Sequence, residues 1–250
     1  MTTLKERVRD GSLIKGTFLN LGSPLVAEVL ALSGFEWLLV DLEHGVRSEE
    51  ALIGQLLAGA AHHVPVLVRV ESLERIRVGH VLDLGAEGVM FPRLNTPEEV
   101  REAIRHLWYP PKGDRGVAGY NRARQFGGDA REPTQVNEAI VGIVQIETLS
   151  ALENVSSIAA VPGVDVLFVG PSDLSTAMGI PGQFDEPQFV DALDKVVEAA
   201  RKANVAAGIL TGDLARVDPL YQRGYTFISV ASDSALLRSA ALSASARHDS

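Results

Sequence analysis

Residues 164–175 read Val-Asp-Val-Leu-Phe-Val-Gly-Pro-Ser-Asp-Leu-Ser. A short apolar run rich in β-branched side chains ends at a Gly-Pro turn, and polar residues stand where a helix would begin. That is one strand-to-helix unit of a parallel sheet, and it recurs along the chain. Comparable apolar runs lie at Gly16–Leu19, Trp37–Val40, Val66–Val70, Gly88–Phe91, Ile140–Ile146, Val164–Val169, Val205–Leu210 and Tyr225–Val230. Helical spacing fills the gaps, as in Leu25-Val26-Val29-Leu30, Ile53-Leu56-Leu57 and Phe189-Leu193-Val196-Val197. Ser48 before Glu49-Glu50, and Thr96 before Pro97-Glu98-Glu99, mark helix starts, a capping side chain preceding acids that favour the positive end of the helix dipole.

Eight such units in 250 residues predict an α/β fold, a single (β/α)8 TIM barrel spanning residues 1–250. An open doubly wound sheet would more often show a glycine-rich phosphate turn after its first strand, and Asn20-Leu21-Gly22-Ser23-Pro24 is not one. The one long connection runs from Tyr109 to Thr134 and holds Pro110-Pro111, several glycines, Arg115, Arg122 and Arg124. Connections of that length in a compact domain are usually functional. The polar tail 247–250 reads as a frayed end.

Composition narrows the partners. A net charge of -9 with no continuous basic patch argues against nucleic acid. The absence of cysteine removes disulfides, thiolate metal sites and thiol nucleophiles. No apolar run approaches the ~18 residues of a membrane span and Met1–Arg7 lacks the core of a signal peptide, so a cytoplasmic protein without membrane contact is expected.

In barrel enzymes the chemistry lies at the C-terminal ends of the strands. Unusual polar residues gather there: Asp41-Leu42-Glu43-His44-Gly45 after the second run, Arg69-Val70-Glu71 after the third, Gln145-Ile146-Glu147 after the fifth and Gly170-Pro171-Ser172-Asp173 after the sixth. Glu147 and Asp173 belong to neighbouring strands, and two close carboxylates repel unless a proton or cation is shared. An all-oxygen pair suits a hard octahedral ion such as Mg2+ or Mn2+. The alternative for Asp173 is a helix cap. Arg69 interrupts an apolar strand and needs an anion: a carboxylate such as Glu71 or Glu147, or the oxygen of a substrate carbonyl becoming an enolate. His44 stands where an imidazole can reach a pocket and serve as acid or base, or bond a neighbouring carboxylate. The N–H groups at residues 170–173 suit a carboxylate. His62, His63 and His106 read as surface residues on helices, and His80 has no evident role. Lys5, Lys15, Lys112, Lys195 and Lys202 fall at termini, in the loop or on helices, so no Schiff-base lysine interrupts a strand.

Taken together, Gly-Thr-Phe-Leu (16–19), Phe-Glu-Trp-Leu-Leu-Val-Asp-Leu-Glu-His-Gly (35–45), Val-Arg-Val (68–70), Tyr-Pro-Pro-Lys-Gly-Asp-Arg-Gly-Val (109–117), Val-Gln-Ile-Glu-Thr (144–148) and Phe-Val-Gly-Pro-Ser-Asp-Leu-Ser (168–175) resemble the HpcH/HpaI aldolase family over nearly the whole chain. These are class II, metal-dependent pyruvate aldolases that cleave 4-hydroxy-2-oxo acids into pyruvate and an aldehyde. The resemblance implies that Glu147 and Asp173 hold Mg2+ or Mn2+, with Co2+ possible, and that Gln145 and the amides of Ser172 and Asp173 hold pyruvate. It further implies that Arg69 steadies the enolate, that His44 paired with Asp83 is the acid/base, and that Asp41 stands behind the metal. Phe18, where relatives often carry Trp, would line the substrate site, and the loop 120–126 departs from the family's Ala-Arg-Ala-rich form. A homohexamer, a trimer of dimers exchanging the C-terminal helix, is implied as well. Two other readings stay open: a lyase of the citramalyl-CoA or malyl-CoA type, and a non-catalytic barrel that binds a 2-oxo acid.

Overall fold

The computed structural model describes residues 2–246, so the expected frayed tail lies outside the described residues. Eight strands, β1 (Ile14–Leu19), β2 (Trp37–Asp41), β3 (Val66–Arg69), β4 (Gly88–Phe91), β5 (Val141–Ile146), β6 (Val166–Val169), β7 (Ala206–Thr211) and β8 (Tyr225–Ser232), close into one barrel in chain order. All neighbours pair parallel. Each strand is covered by helix on its outer face, which is why the strand sequences read as continuous apolar runs: both faces are buried.

Alternate residues divide two cores. Trp37 and Leu39 of β2 point into the barrel with Phe18, Leu67, Met90, Ile143, Phe168 and Phe227. Leu38 and Val40 face the helices. Inside, the Trp37 and Phe227 rings stack at 4.2 Å between centroids. The indole also dictates glycine at residue 16, where a β-carbon would lie 2.0 Å from the Trp37 ring.

The N-terminal helix Leu4–Asp10 closes the end of the barrel at which the strands begin, placing Leu4 and Val8 in the inner core. It brings Lys5 with them. Its ammonium donates to the Ile140 carbonyl at 2.6 Å and lies 3.0 Å from Asp165 Oδ2. That same oxygen accepts the Gly142 N–H at 2.9 Å. A lysine that reads as a terminal residue is therefore a buried plug beneath β5 and β6, and Lys15, expected outside the strands, lies in β1 with its side chain exposed.

The long connection also has a definite place. The helix Pro97–Arg105 returns from the C-terminal end of β4, so the connection leaves it at the opposite end of the barrel from the strand ends that carry the polar residues. Within it a 3-10 helix, Arg122–Gly127, and a short helix, Pro133–Asn137, interrupt the loop. Fully buried Arg115 donates to Asp83 at 2.6 Å, and Arg122 donates to the Leu84 carbonyl at 2.8 Å. His106, expected at the surface, is buried there and bonds Asp114 at 2.8 Å.

Replacing Asp165 by Ala strands the Lys5 charge and the Gly142 N–H in the interior, and removal of one member of a buried pair costs about 3–5 kcal/mol. Urea unfolding of D165A should show a loss of that size; an unchanged midpoint would mean Lys5 finds another partner.

Candidate active site

Asp41 ends β2, Arg69 ends β3, and the parallel register sets them opposite one another. The guanidinium grips the carboxylate through two bonds, Nε to Oδ1 at 2.9 Å and Nη2 to Oδ2 at 2.6 Å. Arg69 thus finds its anion in Asp41, not in Glu71 or Glu147. Glu71 pairs outside the site with Arg77, at 2.9 Å. The remaining arm of Arg69 lies 3.2 Å from Glu43 and 3.4 Å from Gln145 Oε1. Burial is the largest single influence and works against the charge on Arg69, but the bonds to Asp41 and the negative charges of Asp41, Glu43 and Glu147 together hold its pKa above the usual value. Asp41 Oδ1 also accepts the backbone N–H groups of Glu43 and His44 at 3.1 and 3.2 Å, folding the turn that carries His44.

Glu147 follows β5 directly and is 3% exposed. Its Oε1 accepts the Arg93 N–H at 2.8 Å and its Oε2 accepts from Gln145 Nε2 at 3.0 Å. Gln145 therefore bridges Arg69 and Glu147. Burial is the main cause that raises the Glu147 pKa; the Arg93 N–H opposes it, while the charges of Asp173 and Glu43 push in the same direction as burial. Across the strand pair, a β-carbon at residue 170 would lie 2.9 Å from Glu147 Oε2, so only glycine leaves room for that carboxylate beside the helix Pro171–Ala177. Asp173 stands in the first turn of this helix, where the N–H groups of Ser172 and Asp173 bond to no residue of the described chain.

Phe18, Asp41, His44, Arg69, Gln145 and residues 170–173, among others, line a cavity of about 290 Å³, and Glu147 is tied to it through Gln145. Phe18 backs Arg69, its ring centre 5.2 Å from the guanidinium carbon. The His44 side chain is 68% exposed at the mouth, 3.9 Å from Glu43. Asp83 is not brought to it. Ending the helix Arg75–Asp83, it sits at the other end of the barrel against Arg115. Asn20, Leu210 and Ser232 also line the cavity and escaped notice in the sequence. Asn20 and Ser232 sit at the C-terminal ends of β1 and β8, where the strand-end rule reaches them; Leu210 and the Arg93 N–H leave no sequence signal.

The acids fit a cation. Glu147, buried and pressed by Asp173 and Glu43, also feels the charge of Arg69, and Asp41 already neutralises that cation. Uncompensated buried carboxylates are stable only with a proton or a cation. Elsewhere, among the described residues, Glu102, His106 and Asp114 also cluster closely enough to hold an ion. There Arg105 reaches both carboxylates, at 2.9 and 3.2 Å, so the charges are satisfied within the chain.

The chain is similar to known proteins over most of its length. The family model described as HpcH/HpaI aldolase/citrate lyase matches residues 15–240. A hydroxypyruvate/pyruvate aldolase of Paraburkholderia phytofirmans is 41% identical over 236 residues, covering 92% of this chain and 91% of its own. A 5-keto-4-deoxy-D-glucarate aldolase of Klebsiella pneumoniae is 37% identical over 225 residues, covering 90% and 88%. A crystal structure of an HpcH/HpaI aldolase/citrate lyase family protein from Burkholderia cenocepacia superposes with a TM-score of 0.91 at 39% identity, covering 96% of both chains.

The Asp41 clamp can be tested apart from activity. Asp41→Ala leaves a buried guanidinium short of its main partner and should lower stability by about 3 kcal/mol. Glu71→Ala, which loosens only a peripheral ion pair, should cost under about 1 kcal/mol. Equal costs in urea unfolding would remove the clamp's special place.

Proposed function

The chain belongs to the HpcH/HpaI aldolase/citrate lyase family and is a lyase, and from that premise we propose that it is a divalent-metal-dependent aldolase. Its reaction is the reversible cleavage of a 4-hydroxy-2-oxo acid into a pyruvate-type 2-oxo acid and an aldehyde. The observation that carries this reading is the buried carboxylate of Glu147 beside Asp173, linked through Gln145 to a clamped arginine. The relatives' names, which join pyruvate, hydroxypyruvate and a keto-deoxy sugar acid, support a 2-oxo acid as the common half of the substrate.

Glu147 and Asp173 would hold Mg2+ or Mn2+, all-oxygen donors of the kind those ions take. When bound, the ion acts as a Lewis acid that draws charge from the 2-oxo acid. The chain's own groups do the rest. The free N–H groups of Ser172 and Asp173 receive the substrate carboxylate. Arg69, already aimed by Asp41, stabilises negative charge arriving on the ketone oxygen as the C3–C4 bond breaks; because it is oriented beforehand, it needs no rearrangement during the step. In cleavage His44 takes the proton of the 4-hydroxyl while the aldehyde departs, and in condensation it returns that proton. Asp83 lies at the far end of its own barrel, so it can orient His44 only across an interface between copies.

Two further features support the reading. No lysine lines the cavity, which leaves the Schiff-base route without its nucleophile. Arg69 is also its only lining Arg or Lys, so the cavity suits a small acid better than a CoA thioester with its phosphates. We also propose that the helix Asp233–Ser245 packs on a second copy: within its own chain only Asp233 of that helix is buried, and Leu237 and Leu242 are exposed.

Adding Mg2+ or Mn2+ to chelator-treated protein should restore turnover and raise the melting temperature. A proton competes with the ion for Glu147, whose pKa is raised, so the gain should be full near neutral pH and fade on acidification while still above pH 4.5. Glu147→Gln should keep the fold and lose both effects; undiminished activity after chelation would end the metal proposal. His44→Ala should slow aldol cleavage by about 100-fold or more. It should slow exchange of pyruvate methyl protons with deuterated water far less, and equal losses would remove His44 from the proton transfer to the 4-hydroxyl.

A further inference from the structure

A cavity of about 930 Å³ lies not at the catalytic mouth but at the opposite end of the barrel. Four cationic side chains reach it from three separate segments: Lys5 and Arg9 of the N-terminal helix, Lys112 of the long connection, and Arg201 near the end of the helix Pro187–Ala203. Its single lining acid is Asp165, which Lys5 already occupies at 3.0 Å and which also accepts the Gly142 N–H. Arg9 stands 3.9 Å from the other oxygen of the same carboxylate. Lys112 lies over the Trp108 ring, 4.0 Å from its centre, and pairs outside the cavity with Glu138 at 3.2 Å. Arg201 has no carboxylate within 4 Å among the described residues.

A concentration of positive charge runs against the net charge of -9, so it is not the background of this surface. Its field is felt inside: burial lowers the Lys5 pKa, Asp165 opposes that, and Arg9 and Lys112 lower it further by repulsion. Trp108 adds a directional group. It lines the cavity, is 5% exposed, and its indole N–H finds no acceptor among the described residues. The indole N–H is itself sealed from solvent, so an oxyanion in the cavity would first meet Arg201, which has no acid of its own, with Arg9 and Lys112 beside it.

We propose that the cavity at the N-terminal end of the barrel is a binding site for a small multivalent oxyanion, a phosphate ester or a polycarboxylate, held by Arg9, Lys112 and Arg201 beside Trp108. None of these residues belongs to the catalytic mouth, so the site is separate from the proposed reaction and stands whether or not that reaction is correct. The barrel itself joins the two ends. Lys5 grips the approaches to β5 and β6 through Ile140 and Asp165, and those strands carry Gln145, Glu147 and residues 170–173 at their other ends.

Trp108 is one of two tryptophans, and the other, Trp37, is sealed in the barrel core, so emission reports on the cavity. The full-length protein, with Mg2+ in excess, is titrated with fructose 1,6-bisphosphate and, separately, with tricarballylate. Chloride at matched ionic strength is the control, and titration calorimetry gives a second readout. Saturable binding of either multivalent anion, absent with chloride, is expected, and the tighter of the two names the ligand's source. In the Arg9→Gln/Arg201→Gln variant its Kd should rise at least tenfold, while aldolase turnover without the anion stays unchanged. No saturable binding by either method overturns the proposal. So does binding of equal strength in the variant, since the anion then sits elsewhere.

Discussion

The mouth of this barrel is organised by a shortage of positive charge. Glu147 is buried next to Asp173 and within the field of Glu43, and the cation that opposes them is Arg69. That cation is spoken for. Asp41, fixed opposite it by the pairing of β2 with β3, takes two of its hydrogen bonds. The result is a pocket rich in acids with a rigid guanidinium at its edge. The rigidity comes from the barrel: Asp41, Arg69 and Gln145 stand on strands whose neighbours fix them, and Gly170 is bare so that the Glu147 carboxylate can lie against it.

Much of this was legible because the strand runs are so uniformly apolar. A polar residue at the end of such a run stands out, and the rule located Asp41, Arg69, Gln145, Glu147 and the 170–173 turn without any knowledge of contacts. It could not say which groups pair. Local sequence suggests Glu71 for Arg69, two residues away, yet β3 ends at Arg69 and the chain turns before Glu71, and the true partner comes from the neighbouring strand 28 residues back. The same blindness hid Lys5, which reads as a polar helix residue and is a plug, and His106, whose burial depends on Asp114 from a returning loop. Helical spacing misled in the other direction as well: Leu25 and Val29 belong to an apolar pattern and are 74% and 62% exposed, because that helix presents Ala27 and Leu30 to the core instead.

The two ends of the barrel treat a buried acid in opposite ways, and the contrast explains the division between stability and chemistry. At the end where the strands begin, Asp165 meets an ammonium and a backbone N–H of its own chain, and its charge goes to holding β5, β6 and the N-terminal helix together. At the other end of the same two strands, Glu147 is given neutral donors and acidic neighbours, and its charge is left to an outside partner. A carboxylate satisfied within the chain gains nothing from a ligand, whereas one left short binds whatever supplies the missing charge. The reverse applies to the cations beneath the barrel: Lys5 takes Asp165 at 3.0 Å, Arg9 reaches its other oxygen only at 3.9 Å, and Arg201 has no carboxylate within 4 Å among the described residues. The two sites proposed for charged ligands lie where the fold leaves its own ion pairs incomplete, with opposite sign at the two ends of the barrel.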